Sequence, residues 1–265
     1  MHERDFVMDK RIGAQYYTIR DYLRNIEDFD TACQKVSEMG YKIVQISGTP
    51  LKAKEMREVL DKYSLECKLT HRDFNDFKKN LDEIIDYNQT LGCELCGIGG
   101  MPAPAREGHE ELSVFINDAN LVSEKLRDAG MYFGYHNHAF EFVKFDGKTL
   151  YERLVSETDP DKFMFISDTY WYQVGGKNPA DEIRKLGKRA MAVHFKEFMV
   201  VKQNWQVPEM CEVGSGNLDW DGIISACEDA GTRWAFVEQD RNWIDNDCLK
   251  SLKTSYDFLT TKGFN

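Results

Sequence analysis

The feature that most constrains this sequence is a regular alternation between short apolar runs and longer segments with helical periodicity. Eight runs are rich in apolar, aromatic and β-branched residues, and turn or polar residues bound each of them. Such runs are typical of strands that are buried on both faces of a parallel sheet. The predicted strands are Ile12–Ile19, Lys42–Ser47, Glu66–His71, Glu94–Ile98, Tyr132–His136, Phe163–Ser167, Met191–Phe195 and Trp234–Glu238.

Helical patterns separate these runs, and several of them end at a glycine. Apolar residues at helical spacing run from Phe29 to Met39 ahead of Gly40, and from Leu112 to Ala129 ahead of Gly130. A glycine at that place is typical of a helix C-terminus. Eight strand–helix units predict an α/β fold, a (β/α)8 TIM barrel formed as one domain by residues 1–265. A doubly wound open sheet is the alternative, but no GxGxxG motif follows the first strand.

Charge and cysteine usage narrow the class of protein. The formal net charge of −11 leaves no basic excess for a nucleic-acid surface. The charged N-terminus lacks the apolar core of a signal peptide, and no run has the length of a membrane span. Seven scattered cysteines are typical of a reduced protein, and we interpret the one CxxC, Cys93 to Cys96, as two structural thiols. The sequence predicts a cytoplasmic protein and is compatible with a homo-oligomer.

Polar residues follow the predicted strands at the end where a TIM barrel places its chemistry. Each of the last four strands delivers a potential metal ligand to that end, so side chains from four separate strands are expected to converge at the barrel mouth. The residues at the strand ends are His71, the segment His136–Glu141, Asp168, His194 with Lys196, and Glu238 with Asp240.

Four of these residues form the predicted metal site, namely Glu141, Asp168, His194 and Glu238. Carboxylates and an imidazole suit one divalent cation such as Mn²⁺, Mg²⁺, Co²⁺ or Zn²⁺. Three carboxylates grouped without a cation would repel one another and raise their pKa values. A divalent ion removes that repulsion and leaves positions for substrate oxygens.

Each predicted ligand also has an ordinary structural interpretation. Asp168 can cap the following helix, His194 can be a hydrogen-bonded core histidine, and Glu238 can pair with Arg241. Glu141 can be solvated beyond the strand end. We place His136 and His138 as groups that contact the substrate or support the ligands. Either one is also an alternative ligand, because strand alternation is lost where the chain turns into its loop.

Several segments together resemble one known family. These segments are Tyr135–Phe142 (YHNHAFEF), Val193–Lys196 (VHFK), Gly214–Trp220 (GSGNLDW), Val237–Asp240 (VEQD), Gln15–Asp21 (QYYTIRD) and Gly40–Gly48 (GYKIVQISG). As an ordered set they resemble the sugar phosphate isomerase/epimerase family, which belongs to the xylose-isomerase-like TIM barrels. The resemblance spans nearly the whole chain.

The resemblance implies a divalent metal held by Glu, Asp, His and Glu from the last four strands. In this sequence those ligands correspond to Glu141, Asp168, His194 and Glu238. In epimerase members the two glutamates also move the proton, which implies that role for Glu141 and Glu238. The family includes ketose epimerases, aldose–ketose isomerases, inosose dehydratases and a DNA endonuclease branch, and the charge of −11 opposes the last. The sequence departs from the family after Asp168, where Thr169-Tyr170-Trp171 follows, and it contains no obvious phosphate cradle.

The predicted function is that of a sugar isomerase or epimerase which transfers a proton next to the carbonyl of a keto-sugar through an enediolate. The cation would act as a Lewis acid, and one glutamate would remove the proton while the other returns one. The alternative is a lyase that dehydrates a keto-sugar or keto-inositol, with His138 protonating the leaving group. A third possibility is a non-catalytic sugar-binding barrel, which would hold no tight metal.

Four further residues are predicted to contact the small carbohydrate substrate, namely His71, His136, Trp171 and Lys196. Lys196 and His71 would position hydroxyl groups. Trp171 would stack on the apolar face of the sugar, as aromatic side chains do.

Overall fold

Eight parallel strands close into a barrel at the centre of the computed structural model, which describes residues 7–265. Their order around the ring is β1-β8-β7-β6-β5-β4-β3-β2, so that β8 pairs with β1. The predicted TIM barrel is confirmed. The strands are β1 Gly13–Gln15, β2 Ile43–Ser47, β3 Glu66–His71, β4 Leu95–Ile98, β5 Tyr132–His136, β6 Phe163–Asp168, β7 Ala192–Phe195 and β8 Trp234–Val237.

Helices cover the outside of the barrel. Among the described residues they are α1 Ile26–Met39, α2 Ala53–Lys62, α3 Phe74–Lys79, α4 Leu81–Leu91, α5 His109–Asp128, α6 Leu150–Glu157, α7 Thr169–Val174, α8 Pro179–Leu186, α9 Trp220–Ala230 and α10 Cys248–Thr261. The glycine that ends α1, Gly40, has the left-handed φ of 113° that the sequence pattern predicts. None of the helices in residues 7–265 combines the length and the apolar character needed to cross a membrane.

The first strand is shorter than predicted, and this part of the prediction is wrong. The strand ends at Gln15, and Tyr16–Leu23 forms a 3₁₀ segment instead of continuing to Ile19. The side-chain oxygen of Gln15 accepts a hydrogen bond from the backbone N–H of Tyr17, which turns the chain at that point. Tyr16 and Ile19 are buried in the layer between strands and helices. The apolar pattern of this segment therefore reflects packing of a 3₁₀ segment and not a continuing strand. The other seven strands lie within one residue of the predicted bounds.

Strand alternation decides which side chains enter the barrel. On β5, Gly134 faces the interior, where a Cβ would lie 2.8 Å from Ile166 Cδ1. Tyr135 faces outward and packs with Phe115 and other residues of the layer beneath the helices. His136 therefore faces inward again, because side chains alternate with a period of two.

Two short hairpins project from the loops of the described chain. One pairs Lys144–Phe145 with Lys148–Thr149, and the other pairs Glu197–Met199 with Glu209–Cys211 directly after β7. Glu197 anchors the second hairpin, since its buried carboxylate accepts hydrogen bonds from the backbone N–H groups of Gly214 and Leu218 and from the indole of Trp220. This anchor fixes the chain that follows Lys196.

Candidate active site

Four buried side chains converge at the C-terminal ends of β5 to β8. One potential ligand atom from each of His136, Asp168, His194 and Glu238 lies within 4.8 Å of the others. Each residue is the last inward-facing position of its strand or the residue directly after it. The structure therefore brings together three of the four predicted metal ligands and adds His136 to them.

The His194 ring is oriented from the opposite side of the barrel. Its Nε2 lies 2.7 Å from Oε1 of Gln45 on β2. The other atom of the same amide, Gln45 Nε2, lies 3.1 Å from Nε2 of His71 on β3. An amide oxygen can only accept, so His194 Nε2 donates in this contact, and Nδ1 is the nitrogen that faces the cluster. That Nδ1 lies 2.9 Å from Oε2 of Glu238.

The His136 ring follows the same pattern. Its Nε2 lies 3.1 Å from Oδ2 of Asp168, and the ring also hydrogen-bonds the backbone of Gly99. A hydrogen on Nδ1 for the Gly99 contact leaves Nε2 as the nitrogen available to a metal ion. Burial and the neighbouring His194 hold the pKa of His136 well below its ordinary value, so the ring is neutral.

These residues fit a divalent cation. One imidazole nitrogen from each histidine lies 2.9 or 3.1 Å from a carboxylate oxygen, so two nitrogens and two oxygens converge on one small volume. Two nitrogens and two oxygens form a donor set that divalent metals use in proteins. The hydrogen bonds to Gln45 and Gly99 fix the rings in the tautomers that such a metal requires.

The structure does not place Glu141 with the other predicted ligands. Glu141 lies in the short 3₁₀ turn Phe140–Phe142 after β5 and is fully buried. Its Oε1 accepts from the hydroxyl of the outward-facing Tyr135 at 2.7 Å, and its Oε2 accepts from the backbone N–H of His138 at 2.9 Å. Burial raises the pKa of Glu141 to about 7. In this position the carboxylate ties the loop that carries His138 to β5.

Asp168 and Glu238 use their carboxylates in more than one way. Asp168 Oδ1 accepts from the backbone N–H of Trp171 at 2.9 Å, while Oδ2 faces the cluster, so the cap and the ligand position coexist. Glu238 does not pair with Arg241, which contacts Glu209 instead. Although burial acts in the opposite direction, Lys196 and His194 hold the pKa of Glu238 well below its ordinary value.

Lys196 places a buried ammonium beside the cluster. Its Nζ lies 2.7 Å from Asp240 Oδ2, 3.2 Å from Glu238 Oε2 and 3.6 Å from Asp168 Oδ2. Burial alone would lower the pKa of Lys196, but these three carboxylates hold it above its ordinary value. The group is therefore a fixed positive charge at neutral pH.

A cavity of about 560 Å³ opens above the cluster. Five of the predicted site residues line it, namely His71, His136, His138, Lys196 and Glu238. Trp171 is not part of the lining. Trp171 packs against the ring of His138, with 5.2 Å between the ring centroids. The Lys196 ammonium lies 5.4 Å from the centroid of the Trp171 ring.

His138 is the imidazole of the cavity wall with the fewest partners. Its ring stacks on Phe140, and its buried Nδ1 has no hydrogen-bond partner within residues 7–265. Burial lowers the pKa of His138 to about 3, which keeps the ring neutral. His71 is neutral for the same reason, because burial and its histidine neighbours lower its pKa.

Comparisons with known proteins agree with this architecture. The sequence profile of the family described as xylose isomerase-like TIM barrel matches residues 33–260. The inosose dehydratase of Lacticaseibacillus casei is 21% identical in an alignment of 259 residues. The matched region covers 81% of this chain and 83% of that protein.

Solved structures show the same fold. A sugar phosphate isomerase/epimerase from Parabacteroides distasonis ATCC 8503 superposes with a TM-score of 0.78 at 21% identity, covering 93% of this chain and 92% of its own. A xylose isomerase-like TIM barrel protein from Mycobacterium smegmatis, solved in complex with magnesium, gives a TM-score of 0.73 at 15% identity and covers 95% of each chain. Because the family profile spans most of the sequence, the chain belongs to the xylose isomerase-like TIM barrel family.

Proposed function

We propose that this protein is a divalent-metal-dependent lyase that removes a proton next to the carbonyl of a keto-sugar or keto-cyclitol and expels an oxygen from the neighbouring carbon. The observation that carries the proposal is the position of Glu141. Epimerisation by two glutamates needs both carboxylates at the substrate, whereas Glu141 is buried and has both oxygens engaged by Tyr135 and His138. The similarity to an inosose dehydratase supports the same class of reaction.

His136, Asp168, His194 and Glu238 would hold the metal. A bound divalent cation supplies positive charge beside the substrate carbonyl, where negative charge accumulates as the proton leaves. The two imidazoles in the donor set favour a first-row transition metal such as Mn²⁺, Co²⁺ or Zn²⁺ over Mg²⁺, which prefers oxygen ligands.

His138 is the proposed proton carrier. It lines the cavity, it is neutral, and its Nδ1 has no hydrogen-bond partner in the described chain. The imidazole takes the proton as the C–H bond breaks and the electron pair forms the enediolate. The C–O bond of the neighbouring carbon then breaks, and the leaving oxygen receives the proton from His138, so that one molecule of water or alcohol is lost. General acid–base groups of this kind contribute about 10²- to 10⁴-fold to the rate.

The remaining cavity residues would orient the substrate. Lys196, whose ammonium contacts Glu238 and Asp240, lines the cavity, and His71 offers an imidazole on the opposite side of it. Trp171 contributes by packing against His138 and Lys196 rather than by stacking directly on the sugar.

An isomerase or epimerase is the second candidate. Glu238 and His138 both line the cavity, so they are two separate groups that can exchange protons with a bound ketose. Such an enzyme would exchange a carbon-bound hydrogen with solvent and lose no water. The products therefore separate the two candidates.

The substrate class and the cellular compartment are further parts of the proposal. We infer a small carbohydrate substrate and a cytoplasmic location for the chain, which we regard as one domain over residues 1–265. All seven cysteines are free and six of them are buried, which supports a reducing compartment.

The test combines metal analysis with product analysis. Purified protein is loaded with Mn²⁺, Co²⁺, Zn²⁺ or Mg²⁺, its metal content is measured, and it is incubated in D₂O with scyllo-inosose and a panel of keto-sugars. We expect about one ion per chain and loss of water from at least one ketone. Deuterium uptake with no loss of water would establish the isomerase or epimerase instead, and the absence of bound metal under every loading condition would leave a sugar-binding barrel.

His138→Gln separates the proton carrier from the metal site. We expect this variant to keep its metal and to lose at least about 100-fold in kcat, within the range for a general acid–base group. Equal loss of metal and of activity would assign His138 to metal binding instead. Asn137 and His138 are adjacent, but Asn137 Oδ1 accepts from the backbone of Asp168, so it is unsuitable as a neutral control. His109→Gln, an imidazole outside this cavity lining, is the matched control.

A further inference from the structure

The Lys196 ammonium contacts the same oxygen atoms that the proposed metal would need. Glu238 Oε2 lies 3.2 Å from Lys196 Nζ and 2.9 Å from His194 Nδ1. Asp168 Oδ2 lies 3.6 Å from the ammonium and 3.1 Å from His136 Nε2. A lysine at this place is a competitor for the metal, because both positive charges draw on the same two carboxylates.

Asp240 provides the ammonium with a third carboxylate that is not part of the cluster. Its Oδ2 lies 2.7 Å from Lys196 Nζ, closer than either candidate ligand. Its Oδ1 is buried and has no hydrogen-bond partner among residues 7–265. The loop is held by its backbone, since Arg20 donates to the carbonyl oxygen of Asp240 at 3.1 Å. Within residues 7–265, Lys196 is therefore the hydrogen-bond partner of the Asp240 side chain.

The charges divide into two balanced sets. The carboxylates of Asp168 and Glu238 match a divalent cation, and the carboxylate of Asp240 matches the ammonium of Lys196. If Asp240 lost its charge, the buried ammonium would have only the two candidate ligands as counter-ions. Burying an ammonium without a counter-ion is costly, so it would draw more strongly on those two groups.

We infer that Asp240 is a positioning residue that holds Lys196 aside and so keeps Asp168 and Glu238 available to the metal. The inference rests on the proposed metal site and adds a role that metal ligation alone does not require. It predicts a specific coupling: removing the Asp240 charge weakens metal binding only while Lys196 is present.

The experiment measures Mn²⁺ affinity by isothermal titration calorimetry in wild-type protein, Asp240→Asn, Lys196→Met and the double variant. Asp240→Asn should bind Mn²⁺ about 10-fold more weakly, at the lower end of the range for residues that support metal ligands. Lys196→Met should bind at least as tightly as wild type. In the double variant, Asp240→Asn should cause no further loss relative to Lys196→Met.

Asp76→Asn is the matched control, because Asp76 lines the same cavity, is exposed and is not an ion-pair partner of Lys196. It removes the same charge and should leave the affinity unchanged. Circular dichroism on each variant checks folding. If Asp240→Asn is unstable by itself, the double variant still tests the inference, because it should bind Mn²⁺ as tightly as Lys196→Met.

The outcomes separate the inference from the proposed function. If wild type binds no Mn²⁺, the proposed metal site is wrong and the inference falls with it. If wild type binds Mn²⁺ and Asp240→Asn binds it equally well, only the inference is wrong. An equal loss of affinity from Asp240→Asn with and without Lys196 would also overturn it, because Asp240 would then act on the metal directly.

Discussion

The two halves of the barrel present different chemistry at the same level of the interior. At the ends of β1, β2 and β3, the inward-facing residues include Gln15, Gln45 and His71, and β4 carries Gly97. At the ends of β5 to β8, the corresponding residues are the cluster of His136, Asp168, His194 and Glu238. Both halves have the same strand geometry, yet both carboxylates of this layer come from the second half.

The difference shows how one half supports the other. Gln45 reaches across the barrel and fixes the tautomer of His194, which is 149 residues away in sequence. Gly97 has no side chain, and a Cβ there would lie 2.6 Å from Ile166 Cδ1 and 3.0 Å from His71. The first half therefore orients the ligands and leaves room, while the second half carries the donor atoms.

Removing a donor from the second half should have the largest effect. Asp168→Asn keeps the size of the side chain and an oxygen that can cap the backbone N–H of Trp171. We expect divalent-metal affinity to fall by more than about 100-fold, beyond the range for residues that only support ligands. Calorimetric Mn²⁺ titration measures it. Asp219→Asn, which changes another helix-capping aspartate, is the control and should bind as wild type.

Removing the support in the first half should have an intermediate effect. Gln45→Met deletes the acceptor of the His194 Nε2 hydrogen bond and frees the ring to change tautomer. We expect metal affinity to fall by about 10- to 100-fold. Gln15→Met alters a second amide of the same layer that contacts Ser47 and not His194, and it should change the affinity much less. Equal losses in both variants would contradict the assigned role of Gln45.

Glu141→Gln should have the smallest effect on the metal, below the range of about 10- to 100-fold for residues that support metal ligands, because its carboxylate contacts Tyr135 and the His138 backbone and no residue of the cluster. A loss as large as that of Asp168→Asn would show instead that Glu141 is a ligand, as the resemblance to the isomerase/epimerase family implies. Mn²⁺ titration of the two variants side by side decides between these outcomes.

Glu141 should also make stability depend on pH. Burial raises its pKa from 4.5 to about 7, so the folded protein binds this proton more tightly than the unfolded chain. The resulting contribution to stability is complete below about pH 4.5 and is lost as the pH rises through about 7, by up to about 3 kcal/mol. Urea unfolding in the presence of a chelator should show wild type losing stability relative to Glu141→Gln over that interval. A constant difference between the two proteins would contradict the raised pKa.

Much of the fold could be predicted because it is encoded locally. Seven strands lie within one residue of the predicted bounds, since runs of apolar residues between turns determine a buried strand by themselves. The first strand was different, because Gln15 caps the turn with its side chain while the apolar pattern continues through Ile19. Such a local hydrogen bond leaves no trace in hydrophobic periodicity.

Which residues form the cluster depended on the direction in which each side chain points, as well as on residue type. His136 is in phase with the inward-facing Gly134, a signal present in the sequence, whereas Glu141 lies beyond the strand, where alternation no longer applies. The outward Tyr135 holds Glu141 through its hydroxyl, and that contact could not be read from residue type.

The sequence by itself determined the barrel, the order of its strands and the polar residues at their ends, because these depend on patterns within a few neighbouring residues. Only the tertiary structure decided that Gln45 orients His194 and that Asp240 pairs with Lys196. Closure of the barrel brings Gln45 on β2 within hydrogen-bonding distance of His194 on β7, and the pairing of β7 with β8 sets Lys196 beside Asp240.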